Sequence, residues 1–261
     1  MRAPNLRSLL PVAALPLLAG CAAPAQPAPI APCPTVAPAA AAPVAAAPAA
    51  SAAPAVTTNP LPVCAHGMQP GPEGLFDDFE DGTNQVALLD GRNGYWWLAK
   101  APHATVELPG PEFRVSEGGP AGSKRAAHLA GKTDADDIWG FSFGGNFLGG
   151  GFYDASKYAG VSFQIKGTAK SFVRFKVHDV NTHPDGGVCK ECWNAFGKTL
   201  QLNGEWQTVE LSFAELRQLD GWGSPLPANL ASAKVKHLEW SIDQGTPFDF
   251  WVDNVKLLQC K

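Results

Sequence analysis

Between Arg7 and Glu73 the chain carries no Asp, Glu, Lys or Arg, and all eight Trp lie after that gap. A stretch without charge or large aromatic groups has nothing to pair and little to bury, so it is excluded from a packed domain. The folded part is therefore expected to start near residue 71, and the roughly 190 residues that follow suffice for one sandwich with a sizeable core. Helical periodicity is almost absent, confined to Phe213–Leu219, and no internal repeat of fixed period occurs. There is no GxSxG and no HExxH. The Gly-rich run Phe143–Phe152, FGGNFLGGGF, lacks the Lys and the strand-turn-helix setting of a phosphate loop and reads as a loop exposing Asn146. With Arg2 and Arg7 set aside, 18 of the 20 basic residues face 24 acidic ones, a net charge of −6. That balance gives no reason to expect nucleic acid or an anionic membrane face as a partner.

What is present begins with an address. Arg2 and Arg7 precede the apolar run Leu9–Leu18, which is too short to span a bilayer and reads as an export signal. Leu18-Ala19-Gly20-Cys21 resembles a bacterial lipobox. The resemblance implies cleavage after residue 20, acylation of Cys21 and, with Ala22 following, anchorage in the outer membrane on its periplasmic or surface side. Residues 21–70 are almost wholly Ala and Pro and read as a disordered polyproline-like tether. At ~3.1 Å per residue, roughly 40 residues of it would reach about 130 Å. Residues 71–261 form the expected domain.

Short apolar runs punctuated by Gly, Pro, Asn and Asp predict strands at about Leu75–Phe79, Tyr95–Ala99, Thr105–Leu108, Ala126–Gly131, Trp139–Phe143, Val161–Gly167, Phe172–Val180, Lys198–Leu202, Trp206–Ser212, Lys236–Ile242 and Asp249–Leu258. Many strands and almost no helix mean an all-β sandwich or barrel. In the last strand Phe248, Phe250, Val252, Asn254 and Lys256 share one parity, and Asp249, Trp251, Asp253, Val255 and Leu257 the other. It is expected to pair with the acidic first strand, LFDDFEDG. Alternation also predicts polar ladders opposite Val161/Phe163/Ile165, Val173/Phe175/Val177 and Leu238/Trp240/Ile242. If those strands are neighbours in one sheet, Gln164, Arg174, Lys176, His178 and Glu239 converge on a single outer face.

The runs FDDFEDG, DGRNGYWW, YAGVSFQIKG, EWQTVELSF and FDFWVDNVKL together resemble the galactose-binding-like jelly rolls, especially carbohydrate-binding modules of family 11 and the related complex I intermediate-associated domains. The resemblance covers nearly all of residues 74–258. It implies a jelly-roll β-sandwich, a structural Ca2+ clamped between first and last strands at Glu80 and Asp253, and a ligand on a concave sheet face or at its rim.

Three constellations carry chemistry. Asp78, Glu80 and Asp253 could supply oxygens to calcium; solvated strand-end acids or a catalytic carboxylate pair are the other readings. Cys189 and Cys192, with His178 and His183 upstream, fit a disulfide staple in an oxidising compartment, or a zinc site, or a redox pair. Cys64 lies where it could reach Cys260, tying both ends of the domain, and leaves Cys33 unpaired. Among the aromatics, Trp139, Trp206, Trp240 and Trp251 read as core and Trp222 as a rim contact. Trp193 and Trp97 read as stacking platforms. His103, His128 and His237 read as isolated structural or surface residues. The expected function is non-catalytic binding of a polysaccharide or oligosaccharide by Trp97, Gln164, Arg174, Lys176, His178, Trp193 and Glu239. Docking of an envelope protein partner, and a glycoside-active enzyme, are the alternatives.

Overall fold

In the computed structural model residues 60–168, 172–224 and 229–261 are described; the export signal, Cys21, Cys33 and the tether up to residue 59 lie outside them. Among the described residues twelve strands follow one another: β1 (Met68–Asp77), β2 (Trp96–Lys100), β3 (Thr105–Leu108), β4 (Ser116–Glu117), β5 (Arg125–Lys132), β6 (Phe141–Asn146), β7 (Gly160–Gly167), β8 (Phe172–Asp179), β9 (Phe196–Gln201), β10 (Gln207–Ser212), β11 (Val235–Ile242) and β12 (Pro247–Cys260). They form two antiparallel sheets of a jelly-roll sandwich. One runs β10-β7-β12-β5-β3, with β1 also on β12 and β4 on β5; the other runs β2-β6-β11-β8-β9. The fold begins before residue 71, since β1 starts at Met68 and Cys64 is already bridged to Cys260.

The last strand is the spine of the first sheet. β7 pairs along one edge of β12, while β5 takes the first half of the other edge and β1 the second half. The expected pairing of first and last strands is therefore present. The single parity expected through Lys256 is not. The register slips between Asp253 and Lys256, and Asn254 sits at φ 51°. This β-bulge flips the faces, so that Phe248, Phe250 and Val252 point inward before it, and Val255 and Leu257 after it.

The core is aromatic. Trp240 is fully buried, with the rings of Phe163 and Phe175 edge-on at 5.1 and 5.2 Å, and Trp96 stacks on Phe143 at 4.6 Å. Each such ring removes about 150–250 Å² from water, a gross gain of roughly 4–6 kcal/mol. Trp139, Trp206 and Trp251 are not core. Trp139 is 38% exposed, while Trp206 and Trp251 are half-buried on the outer face of the first sheet. There the Lys166 ammonium lies over both rings at 5.3 and 5.1 Å, and His128 stacks on Trp251 at 3.7 Å. The inward parity beside Trp251 is taken by Phe250 and Val252, which leaves the indole outside.

The Gly-rich run also departs from expectation. β6 continues through Asn146, because glycine there admits neighbours that a side chain would exclude: a Cβ at Gly144 would lie 2.2 Å from the Trp97 indole. The helical pattern at Phe213–Leu219 closes only a 3-10 turn, Phe213–Glu215, with a capping box between Ser212 and Glu215.

Candidate functional site

Strand register lays three rows across the outer face of the second sheet. Trp97, Gly144, Glu239, Lys176 and Gly197 are successive partners in the central row. On one side lie Ala99, Ser142, Ser241, Arg174 and Thr199, and on the other Asn146, His237 and His178. The Trp97 ring lies across Gly144 and is fixed by a hydrogen bond donated from its Nε1 to Asn146 Oδ1 at 3.0 Å. Arg174, Lys176, His178 and Glu239 thus share a face, as expected. Gln164 does not, because β7 belongs to the other sheet; its Oε1 there accepts a hydrogen bond from Asn254.

The segment following β8 folds back over the third row. Asp179, wholly buried, pins its start by accepting from the N–H groups of Asn181, Thr182 and Ala231. The Cys189–Cys192 disulfide closes its middle, consuming both thiols, so the zinc reading of that pair with His178 and His183 does not hold. Asn194 clamps it to a second loop, donating to Leu219 O and Trp222 O and accepting from Leu219 N–H. Between staple and clamp stands Trp193, 50% exposed and at φ 79°. A non-glycine residue held there costs about 1–3 kcal/mol, and such strain concentrates at ligand contacts. Trp222 is equally exposed on the clamped loop.

Beneath this cover the polar ladder is not solvated. His178, His237 and Glu239 are all less than 5% exposed. Glu239 Oε1 lies 2.6 Å from Lys176 Nζ and accepts from Ser142 Oγ at 2.6 Å, while Oε2 lies 2.8 Å from His178 Nε2 and 3.4 Å from His237 Nε2. Burial works to raise the Glu239 carboxyl, but the Lys176 ammonium and His178 outweigh it and hold it well below the usual carboxylate range. Burial also pushes His178 down to about 3 and His183 to about 4. Burial pushes His237 down as well. Buried within that network, His178 and Glu239 are not available to an incoming ligand as expected. Arg174 is half-buried and donates to Arg217 O at 2.6 Å.

His237 is not the isolated residue its sequence context implies. It shares a parity with Glu239 on β11, but only the pairing of β8 and β11 brings it beside His178, with ring centroids 4.2 Å apart. Asn146, Ser142 and His183 enter the site in the same way, through contacts between distant segments.

The acidic end of the sandwich lies elsewhere. Asp253 is wholly buried, and its Oδ2 has no hydrogen-bond partner. Burial lifts its carboxyl to about 6 against the pull of Ser123 and the Asn254 N–H, and the charges of Glu80 and Asp78 add to the rise. An orphaned oxygen among carboxylates fits a hard cation. Glu80 is partly committed: its Oε1 accepts from Ser123 Oγ and from the N–H groups of Lys124 and Arg125. The Arg125 guanidinium donates to Glu80 O and lies against Gly82. Asp78, Asp253 and the second oxygen of Glu80 would be the groups to hold calcium, although among the described residues only His178, His237 and Glu239 bring three such ligand atoms within 4.8 Å of one another. A depression lined by Glu80, Glu117, Gly118, Lys124 and Arg125 adjoins this cluster rather than the sheet face.

No protein-family model and no curated protein matches the chain. Solved structures similar to it include the family 11 carbohydrate-binding module from Clostridium thermocellum in complex with a β-1,3-1,4-mixed-linked tetrasaccharide, at 18% identity over 72% of this chain and 95% of that one, with a TM-score of 0.49. A family 30 carbohydrate-binding module is similar at 17% identity over 63% and 82%, with a TM-score of 0.47. An exo-β-agarase is similar at 14% identity over 72% of this chain and 25% of that one, with a TM-score of 0.44.

Proposed function

We propose that this protein binds carbohydrate without cleaving it, through the outer face of the second sheet, as an outer-membrane lipoprotein anchored at Cys21. The observation that carries the reading is the pair of indoles on that face. Trp97 is laid over Gly144, and Trp193 is held half-exposed at a positive φ between a disulfide and the Asn194 clamp. An indole offers an apolar plane to the C–H face of a pyranose, while Lys176 and Arg174 supply donors to its hydroxyls. The sequence resemblance to jelly-roll carbohydrate-binding modules supports the same reading. Gln164, His178 and Glu239 drop out of the contact set, which leaves Trp97, Trp193, Arg174 and Lys176.

The surroundings of Glu239 favour binding over catalysis. Its oxygens face Lys176, Ser142, His178 and His237, none of them a carboxylate, whereas glycoside cleavage needs a carboxyl pair across the substrate. Calcium at Asp78, Glu80 and Asp253 belongs to the proposal as a structural ion, supported by the orphaned Asp253 Oδ2. Modest affinity is expected, since sugar hydroxyls exchange water hydrogen bonds for protein ones at small net gain.

The site is tested by titrating a bound glycan into Trp97→Ala and Trp193→Ala. Each should weaken binding at least tenfold, about 1.4 kcal/mol, with the far-UV spectrum unchanged. Undiminished affinity in both would remove the sugar from this face. For the anchor, fatty-acid labelling of the wild type and its loss in Cys21→Ser are expected; an unlabelled wild type would refute it.

A further inference from the structure

We propose that His178, His237 and Glu239 form a three-ligand site for a divalent transition-metal ion of the zinc class, a site separate from the acidic cluster and independent of the carbohydrate reading. One ligand atom from each residue lies within 4.8 Å of the other two, and all three side chains are buried. His178 Nε2 and His237 Nε2 approach Glu239 Oε2 to 2.8 and 3.4 Å, yet neither nitrogen has a hydrogen-bond partner. The atoms converge without the alignment of hydrogen bonds. A tetrahedral ion with bonds of about 2.0–2.1 Å has ligands about 3.3–3.4 Å apart; the two imidazole–carboxylate distances lie within about 0.6 Å of that spacing, and the third pair closes from within 4.8 Å.

The surroundings favour the ion rather than a bare polar cluster. Ser142 and Lys176 both hold Glu239 Oε1, which leaves Oε2 turned to the imidazoles, and ligating carboxylates are commonly oriented by such contacts. Neither ring nitrogen of His178 has a partner although the residue is fully buried. Leaving both unsatisfied is costly, and ligation satisfies one of them. Two imidazoles and one carboxylate select zinc-like ions over calcium or magnesium, which take oxygen ligands. Three protein ligands leave a four-coordinate ion one position for water or a ligand oxygen. The Trp193 ring, 5.8 Å from His178, stands over this side of the cluster.

The test uses the protein without a polyhistidine tag, stripped with chelator, loaded with Zn2+ and dialysed. One equivalent of zinc should remain, and X-ray absorption at the zinc edge should show an imidazole shell. His178→Gln and His237→Gln should each lose the ion, while Glu80→Gln, at the acidic end, should keep it. No retained zinc, or a zinc shell of oxygen alone, would overturn the proposal. The absorption spectrum of the wild type decides the matter even where a variant fails to fold.

Discussion

Lys176 and Glu239 are the pair on which the character of the sheet face turns. Their atoms stand 2.6 Å apart, with side chains 16% and 6% exposed. At an effective dielectric of about 20 that separation gives a gross attraction of about 6 kcal/mol, most of it offset by desolvation. Removing one partner is a different matter, because it strands the other, at a cost of about 3–5 kcal/mol. Lys176→Met strands the more deeply buried carboxylate and should fall in the upper half of that range. Glu239→Gln leaves an ammonium that can swing toward water and should fall in the lower half. The double variant should cost less than the two single losses together, by about 1–3 kcal/mol of coupling. Urea unfolding of the four proteins at neutral pH in chelator, with common m-values, measures all three quantities. Single losses that simply add, or a Glu239→Gln loss under about 1 kcal/mol, would refute the reasoning and return Glu239 to the ligand-facing groups.

Three further outcomes are expected. Cys64→Ser with Cys260→Ser opens a loop of sequence separation 196 and should cost up to about 5 kcal/mol on the loop-closure estimate; denaturant midpoints unchanged from wild type would show that the ends of the domain are not tied through this bridge. Asp77 is buried, accepts from Trp96 Nε1 and the Phe79 N–H, and is raised by burial to about 7. A raised acid stabilises fully below its unfolded pKa and loses that contribution as pH rises through the folded value, so stability should fall between about pH 4 and 7; Asp77→Asn should flatten the slope, and an identical slope in the variant would exclude Asp77 as its source. Calcium added to chelated protein should raise the melting temperature, and Asp253→Asn should abolish the rise; an unmoved wild-type melt would remove calcium from the account.

Local pattern made the strands legible. Alternation in GVSFQIKG, FVRFKVHD and HLEWSID marks β7, β8 and β11 with their inward faces, and the acidic runs mark the two ends that pair. Sheet membership was not legible, since nothing in Gln164 or its neighbours tells which sheet β7 joins. The bulge at Asn254 was likewise hidden, because it is a property of the pairing between β12 and β7 rather than of either strand. For the same reason His237 looked isolated: it meets His178 and His183 only after β8 pairs with β11 and the stapled loop folds back. Gly144 shows the opposite case, in which an excess of glycine read as loop is a strand cleared for the Trp97 ring.

The most direct measurement is a glycan-array screen of the purified protein, beside the Trp97→Ala/Trp193→Ala double variant. The account predicts binding to a defined class of glycan that the double variant loses while remaining folded. A folded wild type that binds no glycan, or a double variant that binds as the wild type does, would contradict it.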